Sequence, residues 1–288
     1  MKCAVIARHR GEYPLALMCR VLQVARSAYY AWQGRGPSRR SVDDQVLSER
    51  IRHHFERTDR DYGSPRIRQE LRAEQHRVGR DRIARLMREM GLSAAPRRRF
   101  VVTTQSDPSA VAAPNRLARQ FAVGRPNERW VADITYCHTR EGWLYLAAVL
   151  DVGSRRVVGW ATGATLEASL VQTALDRALA WRRPPAGLLH HSDRGRQYSS
   201  TTYQARLAAH GVVCSMSRVG NCWDNAVMES FFSTLKRERV RKHSWASRSQ
   251  LARAVAQYID GWYNRERLHS ALGYLSPIAY EAQFRQAA

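Results

Sequence analysis

Residues 130–136 read WVADITY, residues 143–151 read WLYLAAVLD and residues 157–160 read VVGW. All three stretches are rich in the β-branched, aromatic and aliphatic residues that favour strands. Turn-forming residues at 141–142 and 153–154 separate them, and connections this short join antiparallel neighbours. The stretches therefore predict an antiparallel meander of three strands.

The chain that follows alternates between helix and strand patterns. Helices are expected over residues 166–181, 201–210 and 226–239, and short strands over residues 187–191 and 212–214. Three antiparallel strands followed by two helix–strand units are the order of a ribonuclease-H-like fold, whose helices cover both faces of a mixed sheet. We therefore predict an α/β fold with a mixed five-stranded sheet and flanking helices over residues 123–284, preceded by small all-α helix-turn-helix units.

Upstream of the strands, the pattern is helical. Within residues 1–40, two apolar runs at helical spacing flank a tight turn and predict a helix-turn-helix-like segment. Residues 41–95 predict a three-helix DNA-binding unit, in which Pro65 stands at the first position of the middle helix. Residues 96–122 show no sustained period and predict a basic, flexible linker.

The net charge indicates the class of partner. The 288 residues include 47 Lys and Arg against 25 Asp and Glu, which gives a formal charge of +22, and only three of the basic residues are Lys. Arg suits bidentate contact with phosphate and guanine, although a GC-rich genome would also raise the Arg content. A charge of this size favours a nucleic acid over an acidic small molecule as the partner.

The apolar runs and the cysteine spacing argue against a membrane-spanning, a secreted or a zinc-binding protein. No apolar run approaches the roughly 18 residues of a membrane span, and the N-terminal apolar stretch is too short for a secretory signal. The five cysteines are scattered, and none forms the Cys-x-x-Cys pair typical of a zinc site. We therefore expect reduced thiols in a cytosolic protein with no membrane partner.

Three acids occupy positions that suggest a shared site. Asp133 falls in the middle of a strand between apolar neighbours, where a carboxylate is costly unless it binds a metal or is hydrogen-bonded. Asp193 follows the strand at 187–191, at the strand end where open α/β sheets place their sites. Glu229 lies on the last long helix, and 35 residues separate it from Asp193. Each acid alone is also explained by a structural role, but the three in this order favour a site.

The chemistry of such a site follows from its charges. Converging carboxylates raise one another's pKa, and divalent cations relieve the repulsion. Hard oxygen ligands suit Mg²⁺ or Mn²⁺. Two such ions, roughly 4 Å apart, activate the attacking oxygen and stabilise the leaving oxygen when a phosphodiester is displaced. A site of this kind cleaves nucleic acid without a protein nucleophile.

Three motifs carry a resemblance to a known family: WxxDITY from residue 130, HSDRGxQY from residue 191 and GNxxDNAxxESFF from residue 220. With them, residues 124–280 resemble the catalytic core of retroviral integrases and of DDE insertion-sequence transposases. The residues of these motifs most resemble those of the IS-three-type transposases, whose second reading frame encodes the catalytic protein. Residues 62–67 (YGSPRI) and 263–277 (YNxxRxHxALGYxxP) are similar to that group as well. The His-His-Cys-Cys zinc unit of retroviral integrases is lacking, so no structural zinc is implied.

The resemblance implies an activity and its requirements. It implies Asp133, Asp193 and Glu229 as the catalytic, metal-binding triad for two Mg²⁺ or Mn²⁺ ions, in a transposase that cleaves DNA and transfers strands at insertion-sequence ends. Its partners would be double-stranded DNA, as terminal inverted repeats and target DNA, and further copies of the chain in a homo-oligomer on paired ends. An upstream-frame helix-turn-helix protein, separate or fused, would be another partner. The location would be the bacterial cytoplasm, in association with the nucleoid.

Residues near Glu229 are candidate DNA contacts. Lys236 lies seven residues after Glu229, nearly two helical turns, and therefore shares its helix face. A cation there would meet a DNA phosphate, and the adjacent Arg237 would hold the backbone too. Asn225, one turn before Glu229, either orients DNA or a metal-bound water, or caps the helix.

Three further basic groups are candidates for DNA contact or for plain solvation. They are Arg82, Arg85 and Arg88 on a helix, Arg97, Arg98 and Arg99 beside the linker, and Arg265, Arg267 and His269 near the C-terminus. Asp151 ends a predicted strand beside a turn and is explained as a turn-forming residue. His190 and His191 are potential ligands or acid–base groups, but strand-end packing is favoured because two-metal chemistry needs no His.

The alternative function is a DNA-binding regulator with an inactive nuclease fold. Loss of one carboxylate would indicate such a regulator, and all three acids are present. A cellular ribonuclease-H-type nuclease is a poorer match, because it needs no helical DNA-reading units ahead of the core.

Overall fold

The computed structural model describes residues 1–36, 38–94, 113–217 and 225–286. The chain divides into two units, Met1–Ser93 and Ala94–Ala288. Among the described residues, no helix is long and apolar enough to cross a membrane. The described cysteines are free thiols: Cys3, Cys19, Cys137 and Cys214.

The first unit is helical, as its apolar periodicity predicts. Its described helices are α1 (Lys2–Arg8), α2 (Leu15–Val21), α3 (Arg26–Gln33), α4 (Arg39–Arg57), α5 (Ser64–Ala73) and α6 (Arg80–Glu89). A tight turn joins α2 to α3, and Met18, Cys19 and Tyr29 pack there with Ile6 of α1 in one buried cluster. This is the helical hairpin that the sequence predicts near the N-terminus.

Local capping chemistry delimits α4, α5 and α6. The Ser38 hydroxyl accepts a hydrogen bond of 3.2 Å from the Ser41 amide and so caps α4. Pro65 lies in the first turn of α5, one position later than predicted, because Gly63 is the N-cap and the helix begins at Ser64. Gly91 follows α6 with a φ of +67°, a left-handed conformation that favours Gly after a helix.

The second unit is built on a five-stranded mixed sheet. Its strands are β1 (Arg129–Thr139), β2 (Gly142–Asp151), β3 (Val157–Gly163), β4 (Leu189–Ser192) and β5 (Val213–Met216). Their order is β3-β2-β1-β4-β5, so β1 is central. β2 pairs antiparallel with β1 and β3, whereas β4 pairs parallel with β1 and β5. The predicted meander and the predicted ribonuclease-H-like order are confirmed.

Helices cover both faces of this sheet. They are α7 (Ala168–Arg182), α8 (Arg196–Ser199), α9 (Thr201–Ala209), α10 (Ala226–Glu238), α11 (Arg248–Ala256) with its π-helical continuation (Gln257–Tyr263), and α12 (Pro277–Gln286). Because side chains alternate along a strand, Trp130 packs in the core with α7 and α9, whereas Val131 packs in the core with α10 and α11. Gly159 lets α7 lie directly on β3, since a Cβ there would be 2.2 Å from the Ala174 carbonyl oxygen.

Candidate active site

Strand pairing brings two of the three predicted acids to the same end of the parallel β1–β4 pair. β4 pairs in parallel with β1, and His191 lies opposite Val131. Asp133 lies on β1 two residues after Val131, and Asp193 lies two residues after His191, just beyond the end of β4. Adjacent strands run about 4.8 Å apart, so the two carboxylates occupy neighbouring positions at the end of the parallel pairing.

Asp133 lies in a confined and negatively charged position. Its Oδ1 accepts a hydrogen bond of 2.7 Å from the Ile134 amide. Burial raises the pKa of Asp133 well above its usual range, and the charges of Asp193 and Glu229 raise it further. The Ile134 hydrogen bond and the positive charge of Lys236 oppose these effects. The three predicted acids and Lys236 therefore share one electrostatic environment.

Asp193 is held by the loop that follows β4. Its Oδ1 accepts a hydrogen bond of 2.9 Å from the Gly195 amide. The Arg194 guanidinium donates to the Ser217 carbonyl oxygen at 2.8 Å and so ties the loop to the end of β5. Burial raises the pKa of Asp193. A backbone amide of its own loop thus orients the Asp193 carboxyl.

Glu229 and Asn225 enter the site from α10. Glu229 lies in the first turn of this helix, and partial burial raises its pKa. Asn225 makes no side-chain cap; instead its Nδ2 donates to the Ala132 carbonyl oxygen at 3.1 Å, next to Asp133. Asn225 occupies the N-cap position of α10, as the capping alternative predicts, but its side chain makes no capping hydrogen bond. Its Oδ1 is buried with no hydrogen-bond partner in the part of the chain that the structure describes.

Lys236 and Arg237 have different surroundings. The Nζ of Lys236 lies 5.2 Å from the ring centroid of Tyr136, and the side chain is partly buried. Burial lowers the pKa of Lys236, whereas the negative charge of Asp133 raises it. Arg237 instead pairs with Glu238 at 2.9 Å. Of the two predicted backbone contacts, Lys236 is the one that interacts with the acids.

The two histidines at the end of β4 are packing residues, as favoured from the sequence. His191 lies within hydrogen-bond distance of Ser215 (2.8 Å) and Ser217 (3.1 Å), which joins β4 to β5 and its end. The Nε2 of His190 lies 3.1 Å from the Tyr203 hydroxyl. Burial lowers the pKa of His190 to about 3, so its ring is neutral at physiological pH.

The site fits divalent metal ions by its donors. Buried like-charged carboxylates and the buried Oδ1 of Asn225 are hard oxygen ligands of the kind that Mg²⁺ and Mn²⁺ take. Within residues 1–36, 38–94, 113–217 and 225–286, however, no group of three or more His, Cys, Asp or Glu side chains is arranged to hold a metal ion. Convergence of the three acids on two ions stays a prediction.

The predicted arginine contacts on α6 are engaged within their own unit. Arg82 donates to Asp44 of α4 at 2.7 Å, and Arg85 pairs with the other oxygen of Asp44 at 2.6 Å. Arg85 also pairs with Glu89 at 2.8 Å. These contacts tie α6 to α4, so DNA contact by Arg82 and Arg85 stays a prediction. Arg97, Arg98 and Arg99 lie outside the described residues.

A basic groove that the sequence reasoning missed lies along α5 and the turn after it. Its cavity of about 970 Å³ is lined by basic residues, which are Arg68, Arg72, His76 and Arg77. The three Arg side chains are exposed. The signal was present in the sequence, because residues 68 and 72 are one helical turn apart and share a face.

One predicted DNA contact near the C-terminus is wrong. Arg267 is 4% exposed, and it donates to Glu238 at 2.8 Å and 2.7 Å. The Tyr258 hydroxyl donates to the same carboxylate at 2.7 Å. Arg267 therefore neutralises a buried acid at the end of α10 and is not available to a DNA phosphate.

Asp151 has the structural role predicted for it. Its Oδ1 accepts from the Ser154 amide at 3.0 Å, and its Oδ2 accepts from the Asn127 amide at 2.6 Å and from Trp130 Nε1 at 3.3 Å. The residue is fully buried. It therefore fastens the turn after β2 to the start of β1, and it is not a fourth acid of the site.

Comparisons with known proteins indicate the family of this chain. Integrase core domain family models match residues 124–222 and 210–277, and an HTH-like domain model matches residues 41–100. The chain is 44% identical over 271 residues to the insertion element IS600 uncharacterized 31 kDa protein of Shigella sonnei, over 94% of this chain and 100% of that protein. It is 40% identical over 288 residues to transposase InsF for insertion sequence IS3A of Escherichia coli (strain K12), over 98% of each. Among solved structures, the HTLV-2 integrase catalytic core domain in complex with magnesium (trimeric form) aligns with 55% of this chain and 99% of that chain, with 15% identity and a TM-score of 0.44.

Proposed function

Because this chain belongs to the family of insertion-sequence transposases with an integrase core domain, we propose that Asp133, Asp193 and Glu229 are its catalytic acids. The enzyme is a polynucleotidyl transferase that acts in DNA transposition and integration, and DNA is its partner. The observation that best supports the assignment of the acids is the parallel pairing of β1 with β4, which extends to Val131 and His191, two residues before Asp133 and Asp193.

We assign two Mg²⁺ or Mn²⁺ ions to these acids, in keeping with the metal dependence of the integrase core. When bound, such ions lower the pKa of the attacking hydroxyl and neutralise charge on the phosphate and the leaving oxygen. The chain orients the ligands: the Ile134 amide holds Asp133, the Gly195 amide holds Asp193, and Asn225 fastens α10 to β1. Lys236 places a positive charge beside the acids, where a backbone phosphate would otherwise be repelled.

The proposed sequence of steps uses one site twice. Water first attacks a phosphodiester at the element end and the bond to the 3′ oxygen breaks, so that this oxygen leaves as a hydroxyl. The freed 3′-hydroxyl then attacks a target phosphodiester, and a new bond forms as the target's own 3′ oxygen leaves. Both are in-line displacements at phosphorus, so the same acids serve each step.

The function is tested with DNA that carries the element's terminal inverted repeats. We expect strand cleavage and transfer with Mg²⁺ or Mn²⁺, none with EDTA, and none with Ca²⁺, whose larger and more flexible coordination does not fit the smaller-ion geometry. Product strands are measured on denaturing gels, and DNA binding is measured in parallel. Binding without cleavage under every metal condition would favour the alternative, a DNA-binding regulator with an inactive nuclease fold.

Lys236→Ala is expected to weaken binding to DNA ends and to flatten its salt dependence. Removing one phosphate contact lowers the slope of log binding constant against log salt by about 1. The slope is measured by fluorescence anisotropy over a salt series. Lys236→Arg keeps the positive charge and should keep the wild-type slope. An unchanged slope in Lys236→Ala would remove Lys236 from the DNA contacts.

We further propose a division of labour between the two units. Residues 1–40 and 41–95 would read the terminal repeats, with the basic groove of Arg68, Arg72 and Arg77 facing the DNA backbone. The linker predicted over residues 96–122 would join them to residues 123–284, which carry the chemistry. Residues 96–112 lie outside the described residues, and residues 113–122 pack within the second unit, where Leu117 is buried in the core. A homo-oligomer on paired ends, an upstream-frame helix-turn-helix partner and a nucleoid-associated location in the bacterial cytoplasm complete the proposal.

A further inference from the structure

A second concave site lies beyond the acids, where β1 ends. Its cavity of about 470 Å³ is formed by the last residues of β1 and by the chain just after α10. We name it the end pocket and define it by Tyr136, His138, Arg140, Lys236, Arg241 and His243. Neither the sequence motifs nor the proposed chemistry assigns a role to this pocket.

Exposed aromatic rings lie at or next to the pocket: Tyr136 lines it, and Trp143 contacts the Tyr136 ring. Tyr136 is 43% exposed, and Trp143 of β2 beside it is 46% exposed. The ring centroids of Tyr136 and Trp143 are 5.1 Å apart, and those of His138 and Trp143 are also 5.1 Å apart, both pairs edge to face. His138 lies directly opposite Trp143 in the β1–β2 ladder, so the hairpin itself holds these rings on one face. Ring surfaces of this size in water are available for stacking.

The same pocket is strongly basic. Arg140 and Arg241 are exposed, and Lys236 holds its Nζ over the Tyr136 ring. The described residues that line the pocket include no acid. The nearby Glu141 is engaged by the Arg248 amide at 2.9 Å. Aromatic rings among unopposed cations suit a ligand that carries both planar bases and phosphates.

The described lining of the pocket includes none of the three acids, but Lys236 lies at both places. Tyr136 lies three residues beyond Asp133 on β1, which is about 10 Å at 3.3 Å per residue, and its side chain points to the opposite face of the strand. That length is about three nucleotides of a stacked DNA strand. Lys236 belongs to both places, because it acts on Asp133 and covers Tyr136. DNA whose scissile phosphate lies at the acids would thus carry its neighbouring nucleotides to the pocket.

Resting on the proposed function, we propose that the end pocket binds unpaired nucleotides next to the scissile phosphate, with a base stacked on Trp143 and Tyr136 and phosphates on Arg140, Lys236 and Arg241. Stacking needs a free base face, which a paired nucleotide inside a duplex does not offer. The pocket therefore favours DNA ends that are splayed or single-stranded. Two other ligands could occupy the end pocket: the backbone of a DNA duplex, or a second copy of this chain. The test distinguishes both of them from unpaired nucleotides.

The test compares three DNA probes with the full chain: a blunt duplex, the same duplex with a short oligothymidine tail, and the same duplex with an abasic tail. We expect the oligothymidine tail to tighten binding about tenfold, the value of one stacked base, and the abasic tail to give a much smaller gain. Trp143→Ala should lose the advantage of the oligothymidine tail and keep its affinity for the blunt duplex. Trp143→Phe should retain most of that advantage.

Trp181→Ala is the matched control, because Trp181 is 52% exposed elsewhere in the same unit. It should keep the wild-type preference. Equal gains from both tails would mean that the pocket binds only phosphates, and the stacking proposal would fail. Loss of blunt-duplex binding in Trp143→Ala, or a change of its oligomeric state by light scattering, would also overturn it. Cleavage of the blunt duplex by the wild-type protein with Mg²⁺ is measured alongside. If cleavage occurs but the stacking test fails, only the role of the end pocket is wrong; if cleavage is absent, the proposed function itself fails.

Discussion

Replacing Asp193 with Asn is expected to slow strand cleavage and strand transfer about a thousandfold while DNA binding stays within about twofold. The amide keeps an oxygen that can accept the Gly195 hydrogen bond, so the loop after β4 should keep its path. What it loses is the negative charge that would hold a divalent cation. The measurement is single-turnover cleavage with Mg²⁺, beside anisotropy with the same DNA.

The expected stability of this variant distinguishes a lost charge from a damaged fold. In the folded protein the charge of Asp193 raises the pKa of Asp133, which is an unfavourable interaction between the two carboxylates. Neutralising Asp193 should therefore leave the melting temperature in EDTA unchanged or higher. Asp176→Asn, which alters an exposed pair with Arg206, serves as the control and should keep full activity. Wild-type cleavage by Asp193→Asn would refute the proposed triad.

Replacing Arg267 with Met is expected to reduce the free energy of unfolding by about 3 kcal/mol, because it leaves the buried Glu238 carboxylate with only the more exposed Arg237 and the Tyr258 hydroxyl as partners. The side chains of Arg267 and Glu238 are 5% and 1% exposed, so solvent screens their interaction little. Urea unfolding of the full chain gives the measurement. Arg265→Met, at an exposed position two residues earlier, is the control and should change little. A cost below about 1 kcal/mol would contradict the structural role.

The same pair predicts a pH dependence. Burial alone would raise the pKa of Glu238, but hydrogen bonds and the charge of Arg267 outweigh it and lower the pKa to about 2. A carboxyl with a depressed folded-state pKa stabilises the fold fully above its unfolded pKa, and this stabilisation is lost as the pH falls toward 2. Unfolding in acid should therefore lose that contribution below about pH 4.5. Glu238→Gln should remove this part of the pH dependence.

Much of the second unit was predictable because its signals are local. Short turns join β1 to β2 and β2 to β3. Connections this short can only join antiparallel neighbours, so the first three strands form a meander. The end of a parallel strand is a place where sheets position functional groups, so Asp193 could be recognised from its place after the apolar run. Pro65 and Gly91 mark helix ends through their own backbone geometry.

Other roles depended on partners far away in the chain. Arg82 and Arg85 form an exposed-looking stripe on α6, but Asp44 of α4 engages both. Asn225 is the N-cap residue of α10, but its side chain donates to the Ala132 carbonyl oxygen, 93 residues away in sequence, instead of to the helix end. No pattern on one element states which element packs against it, because many pairings satisfy the same local preferences.

By itself, the sequence determined the strand order, the positions of the acids along the elements and the polyanionic class of partner, since these follow from periodicity, turn chemistry and charge. Only the tertiary structure decided that Arg267 neutralises Glu238 and that Tyr136, Trp143 and Lys236 form one exposed aromatic and basic surface. The physical reason is that burial and charge pairing depend on distances between segments, which only the packing of helices on the sheet sets.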